Sequence, residues 1–95
     1  MSYKLFFEKK ALKEFNKLNS TIKNQFKKKL AERLENPRVK ADKLTGVGFS
    51  DCYKIKLRKS GFRLIYYVED KTISILVIGV GKRNKNLVYD KAKKK

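Results

Sequence analysis

The sequence predicts an α+β fold: a small antiparallel β-sheet with two N-terminal helices packed on one face and a short C-terminal helix or tail. Three observations carry that prediction. Apolar residues recur at helical spacing ahead of Asn36-Pro37, and they alternate at strand spacing behind it. The third is size, because 95 residues of which 41% are hydrophobic can bury one core and not two, so residues 1–95 are read as a single domain.

Taken in order, Tyr3, Leu5 and Phe7 alternate as a short opening strand. Ala11, Leu12, Phe15 and Leu18 then follow helical spacing until Asn19-Ser20 interrupts them. Ser20 is the expected N-cap of a second helix that carries Ile22, Phe26, Leu30 and Leu34 on one stripe. Pro37, which cannot donate a backbone hydrogen bond, prevents its continuation. Opposite the apolar stripes lie Lys9, Lys10, Lys13, Lys17, Lys23, Lys27, Lys28 and Lys29, a solvated face that attracts polyanions without specificity.

Strand patterns follow near Leu44 and over residues 52–57, 62–68 and 72–80, with Ser60-Gly61 and Asp70-Lys71 as turn elements between the last three. This spacing predicts an antiparallel meander. Pairing Leu57 with Phe62 brings Ile55 to Leu64 and Tyr53 to Tyr66, and the next hairpin adds Val68, Ile73, Ile75 and Val77 to the same face. The two helices cover that face. Lys54 and Lys56 fall on the other, with Lys56 directly opposite Arg63. In the tail, Leu87, Val88 and Tyr89 suit either a C-terminal helix over Ile65, Leu76 and Ile78 or an aromatic left free for stacking, and spacing alone does not separate the two.

Charge narrows the function. Twenty-six Lys and Arg against nine Asp and Glu give +17, so a polyanion is the expected partner and nucleic acid the first candidate. The chain has no His, which removes the usual acid/base pair of a metal-free nuclease and the commonest metal ligand. The carboxylates are scattered through helices and turns and do not form a two-metal site, so neither metal nor cofactor is expected. Cys52 is alone, which excludes an intrachain disulfide and fits a reduced cytoplasmic setting. The opening apolar run is too short for a signal peptide, no stretch has transmembrane length, and no membrane association is expected. Gly79-Val80-Gly81-Lys82 lacks the spacing of a phosphate-binding loop.

Like charges facing each other across a sheet destabilise it, so Lys56 and Arg63 require either free solvation or a bound anion. In so basic a protein, chance alone could place them together. A second basic element, Gly81-Lys82-Arg83-Asn84-Lys85, ends the central apolar strand and is followed by Tyr89. Cations with a nearby aromatic ring suit RNA, the charges taking phosphate and the ring stacking on an exposed base.

The stretches Asp51-Cys52-Tyr53-Lys54-Ile55-Lys56-Leu57-Arg58, Ser60-Gly61-Phe62-Arg63-Leu64-Ile65-Tyr66 and Val80-Gly81-Lys82-Arg83 with Tyr89, together with Ala11-Leu12-Lys13-Glu14-Phe15 and Lys28-Lys29-Leu30, resemble the RelE toxins of bacterial type II toxin–antitoxin systems, in the RelE/ParE superfamily. The resemblance spans nearly the whole chain. It implies a toxin that cleaves mRNA in the ribosomal A site by 2′-hydroxyl attack, without metal. It implies as partners a cognate RelB-like antitoxin, the ribosome with its 16S rRNA, and A-site mRNA, with DNA reached only through the antitoxin complex.

Carried over residue by residue, the resemblance makes Lys54 the general base for the attacking 2′-hydroxyl and assigns the scissile phosphate to Lys56 and Arg63. Arg83 would stabilise the transition state and the leaving 5′-oxygen, and Tyr89 would stack on a base. Arg58, Lys82 and Lys85 are further RNA-binding cations. Neighbouring cations disfavour one another's protonated forms, the general route by which an amine becomes a base near neutrality. One departure is Thr45, where the best-known members carry an Arg, and Val47-Gly48-Phe49-Ser50 reads as a longer loop than the matching one. A gyrase inhibitor of the ParE type, or a non-catalytic basic RNA- or ribosome-binding protein, would share the fold or the charge but leave transcripts intact.

Overall fold

The computed structural model describes residues 2–44 and 51–82. The chain runs through β1 (Lys4–Phe7), α1 (Lys9–Asn16), α2 (Ser20–Glu35), a 3₁₀ turn (Lys40–Asp42), β2 (Cys52–Leu57), β3 (Phe62–Glu69) and β4 (Ser74–Lys82). The strands form one sheet in the order β1-β4-β3-β2. Strands β2, β3 and β4 are the expected antiparallel meander, with Lys56 opposite Arg63, Ile55 opposite Leu64 and Tyr53 opposite Tyr66. To this β1 adds a parallel pairing along the far side of β4, so the complete sheet is mixed.

The helices cover one face because both present apolar stripes to it. Ala11, Phe15, Ile22, Phe26 and Leu30 pack against Tyr53, Ile55, Leu64, Tyr66, Val68, Ile75, Val77 and Val80. Phe15 bridges Phe7 and Phe26, with ring centroids 5.0 and 6.4 Å away. A smaller apolar cluster of Leu44, Cys52, Ile65 and Ile78 lies on the second face. Burial pushes the Cys52 thiol pKa up, which keeps it in its unreactive protonated form. Among the described residues no helix is long and apolar enough to cross a membrane.

Four details differ from the sequence-based expectation. The N-cap of α2 is Asn19, not Ser20: the Asn19 side chain accepts the Ile22 N–H at 2.9 Å, which makes Ser20 the first helical residue. Replacing Asn19 by Ala is expected to cost about 1 kcal/mol, read as a lower denaturant midpoint at unchanged slope. The strand near Leu44 reduces to a single bridge between Lys43 and Tyr53, with the Leu44 N–H bonded to the Cys52 carbonyl. Ile73 does not reach the core. It lies in the β3–β4 turn with φ 47°, an uncommon conformation for a β-branched residue, and is 40% exposed. Leu5 on the edge strand β1 is 36% exposed and its neighbour Phe6 52%.

The fourth difference shapes the second face. Ile65 pairs with Gly79 but Tyr66 with Val77, so Ile78 is an extra residue in β4, a β-bulge. Because of it, Val77 and Val80, three residues apart, both join the helix-side core. Gly79 and Gly81 are thereby placed opposite Ile65 and Arg63, on the side away from the helices.

Candidate active site

The site is built on the β2–β3 hairpin. Lys54 and Lys56 are two residues apart in one strand and therefore share a face. Arg63 stands directly across from Lys56, and Ile65 across from Lys54. The connecting turn closes with the Gly61 N–H bonded to the Leu57 carbonyl at 2.9 Å. Gly61 sits at φ 77°, the left-handed region that a side chain would strain. This turn brings Arg58 beside the strand cations. Lys56, Arg58, Gly61, Phe62 and Arg63 line a groove of about 300 Å³, and no carboxylate occurs among its described lining residues. Clustered cations suit a phosphodiester, which two or three such groups can grip at once.

Of the eight residues singled out in the sequence, Lys56, Arg58 and Arg63 line this groove, while Lys54 stands two residues along β2 from Lys56 on the same face, opposite Ile65 and outside the groove lining. Lys82 is not with them. It pairs with Phe62, whose ring packs on the helix-side core, and its ammonium lies 5.6 Å from that ring's centroid. Its charge is therefore offered on the opposite face from Arg63. Arg83, Lys85 and Tyr89 lie outside the described residues, as do Thr45 and the Val47-Gly48-Phe49-Ser50 loop. Among the described residues no three Asp, Glu, Cys or His side chains converge.

Behind Lys54 is a polar network that its sequence surroundings did not suggest. The Arg33 guanidinium, 12% exposed, forms an ion pair with Asp42 in the 3₁₀ turn. It also donates to the Tyr66 hydroxyl at 2.9 Å and to the Lys54 backbone carbonyl at 3.3 Å. The Tyr66 hydroxyl in turn donates to the Pro37 carbonyl at 2.6 Å. One side chain therefore ties the end of α2, the 3₁₀ turn, β2 and β3 together, and it holds the strand at the residue expected to act as base. Burial works against the Arg33 charge, yet the hydrogen bonds and attraction of Tyr66 and Asp42 prevail and raise its pKa above the ordinary value. For Tyr66 burial acts the other way and raises the pKa; its ring stacks on Tyr53 with centroids 5.8 Å apart. The readable signal was position: Arg33 follows Leu30 by three residues, on the inward stripe of α2 and not on the lysine face.

At the other end of the sheet, Arg38 forms two 2.9 Å hydrogen bonds to Asp70, which also accepts from Tyr3. These bonds, Arg38 first, hold the Asp70 carboxyl below its usual range. Both side chains are well exposed, so the pair orients the turn more than it stabilises the fold.

Known proteins match this chain over almost its whole length. The family model for the ParE toxin of type II toxin-antitoxin system, parDE, matches residues 5–87. The mRNA interferase toxin RelE of Escherichia coli strain K12 is 54% identical over 95 residues, covering 100% of this chain and 98% of its own. The solved structure of a mutant E. coli RelE in the free state aligns with TM-score 0.91 at 53% identity, over 99% of this chain and 97% of that one. RelE in the intact E. coli RelBE toxin-antitoxin complex aligns with TM-score 0.81 at 56% identity, over 85% of this chain and 96% of that one. Sheet and helices agree with this kinship, and the chain belongs to the RelE toxins of bacterial type II toxin–antitoxin systems, within the RelE/ParE superfamily.

Proposed function

We propose that this protein is the toxin of a type II toxin–antitoxin pair and inhibits translation in the cytoplasm as a ribosome-dependent endoribonuclease. It cuts mRNA in the ribosomal A site, and a RelB-like antitoxin restrains it. The observation that carries the reading is the cross-strand pair Lys56 and Arg63, two cations held side by side in a groove with Arg58. Two cations in register favour a bound anion beside them, and in this reading the scissile phosphate is that anion. The relatives support the substrate and the partner, since two that are 54% identical to this chain are named mRNA interferases and RelE is solved with its antitoxin.

In this reading Lys54 removes the 2′-proton of the nucleotide on the 5′ side of the scissile bond. Lys56 and Arg63 hold the phosphate and meet the charge that develops on it. The 2′-oxygen bonds to phosphorus, the bond to the 5′-oxygen breaks, and Arg83 assists that leaving oxygen. Tyr89 stacks on a base of the codon, and Lys82 and Lys85 add long-range attraction. No metal takes part, so excess EDTA leaves cleavage intact when polyamines hold the ribosomes together.

Primer extension on a defined mRNA programmed into ribosomes tests the reading. The expected result is a new stop within the A-site codon, absent without ribosomes and suppressed when the antitoxin is added. Intact transcripts at saturating protein would overturn it in favour of a non-catalytic binder or a gyrase inhibitor.

A further inference from the structure

Lys54 and Arg63 stand on strands that are held very differently. Arg63 is on β3, which pairs with β2 on one side and β4 on the other, whereas among the described residues β2 has a full strand only on its β3 side and the single Lys43–Tyr53 bridge on its outer side. The proposed base is therefore carried on an edge. Backbone groups of successive residues in an antiparallel strand turn to alternate sides, so those of Cys52 and Lys54, two residues apart, turn the same way. The Cys52 carbonyl accepts the Leu44 N–H at 3.0 Å on the outer side of β2, and the Lys54 carbonyl accordingly points outward too, away from the β3 ladder. There Arg33 donates to it at 3.3 Å. The donor is itself anchored, by the ion pair with Asp42 and by the 2.9 Å bond to the Tyr66 hydroxyl, and a planar guanidinium held at two other points has little freedom to follow a moving strand.

We propose that Arg33 is a positioning residue for the cleavage reaction: by fixing the Lys54 peptide on its outer side, it sets where the Lys54 amine stands relative to the phosphate gripped by Lys56 and Arg63. The inference rests on the nuclease reading above, in which Lys54 takes the 2′-proton. Proton removal needs the amine within hydrogen-bond reach of the 2′-hydroxyl while the phosphate stays in place, and a misplacement of about 1 Å can cost on the order of 10² in rate. A long side chain amplifies any movement of its own backbone. Arg33 approaches with Tyr66 from the helix side of the sheet, and the Lys54 side chain projects from the opposite face, so the influence passes through the backbone and not through substrate contact. Lys56 is braced in another way. It precedes Leu57, whose carbonyl the Gly61 N–H ties into the hairpin turn at 2.9 Å.

Single-turnover cleavage of a defined mRNA on ribosomes tests this with the full chain, at saturating and subsaturating ribosomes, under conditions where circular dichroism shows each variant folded. Arg33→Ala is expected to lower the saturated rate by about 10–10² and to change the half-saturating ribosome concentration by less than about twofold, because a misplaced base slows the chemical step and leaves binding alone. Ile75→Ala is the control for lost stability. It truncates a core side chain near the start of β4, away from Lys54, and is expected to keep the parental rate. A double variant, Arg33→Met with Asp42→Leu, guards against a failure of Arg33→Ala to fold: replacing both members of a buried ion pair by apolar side chains is often neutral or stabilising, yet it supplies no donor to the Lys54 carbonyl. It is expected to recover stability and to stay as slow as Arg33→Ala.

A Lys54→Ala background supplies the readout that a purely structural residue would not move. There Arg33→Ala is expected to lower the rate further by less than about twofold, since a residue that acts through Lys54 has nothing left to position. Independent, multiplicative losses would overturn the proposal. So would a parental rate in the double variant, or a loss confined to the half-saturating concentration. An undiminished rate for Lys54→Ala alone would remove the reading of Lys54 as the base and the proposal with it, whereas a slow Lys54→Ala beside Arg33 variants of parental rate would remove the positioning role only.

Discussion

A single 2′-deoxy nucleotide on the 5′ side of the scissile phosphate is expected to abolish cleavage of ribosome-bound mRNA and to leave ribosome binding unchanged. The attacking group in the proposed reaction is that nucleotide's own 2′-hydroxyl, so removing one oxygen removes the nucleophile and nothing that binds. The complementary change is on the protein. Arg63→Ala deletes a donor fixed by its strand opposite Lys56, and it is expected to lower the single-turnover rate by about 10²–10³ at saturating ribosomes. Lys54→Ala should also lower the rate, with a 2′,3′-cyclic phosphate still the first product of whatever cleavage remains. Normal cutting of the deoxy message, or a product ending in a plain 3′-hydroxyl, would show that activated water is the nucleophile and would sink this mechanism.

Arg33→Ala is expected to destabilise the fold by about 3 kcal/mol, the lower end of the range for breaking a buried pair because Asp42 is partly open to water. Removing the guanidinium leaves Asp42 and the Tyr66 hydroxyl each short of a partner, and frees the Lys54 carbonyl at the edge of the sheet. Tyr66→Phe removes the hydroxyl that joins Arg33 to the Pro37 carbonyl and is expected to cost about 1–3 kcal/mol. Because the two side chains share one hydrogen bond, the double variant should lose less than the sum of the single losses. Equilibrium denaturation of the four proteins checks this. Strict additivity, or a midpoint for Arg33→Ala equal to that of the parent, would mean that the network does not bind these elements together.

How much was legible in the chain depended on distance along it. The β2–β3 register, and with it the opposition of Lys56 and Arg63, follows from a short turn and alternating side chains and needs only local information. The parallel pairing of β1 with β4 joins residues about seventy positions apart, and no pattern in either strand names the other. Counting by twos along β4 fails at Ile78, because the bulge is a property of the paired strands and not of one strand's composition. Arg33 was hidden for another reason. On a lysine-rich helix its charge reads as surface, while its position three residues after Leu30 turns it inward, and here position decides. At the cap of α2 both Asn19 and Ser20 suit the role, and the observed geometry selects the residue one step earlier.

The edge strand β1 gives the large positive charge a colloidal role as well. It is short and largely apolar, with Leu5 and Phe6 exposed, and among the described residues it has a strand on one side only. Such an edge is a template for pairing with another chain. Lys4 opens it and Lys9 and Lys10 follow it, and two copies approaching through β1 would bring these like charges together. That repulsion fades as salt rises, since the screening length falls from about 10 Å at 0.1 M to about 3 Å at 1 M. High salt, often chosen to strip nucleic acid from a basic protein, would therefore also weaken the repulsion that keeps copies of this one apart.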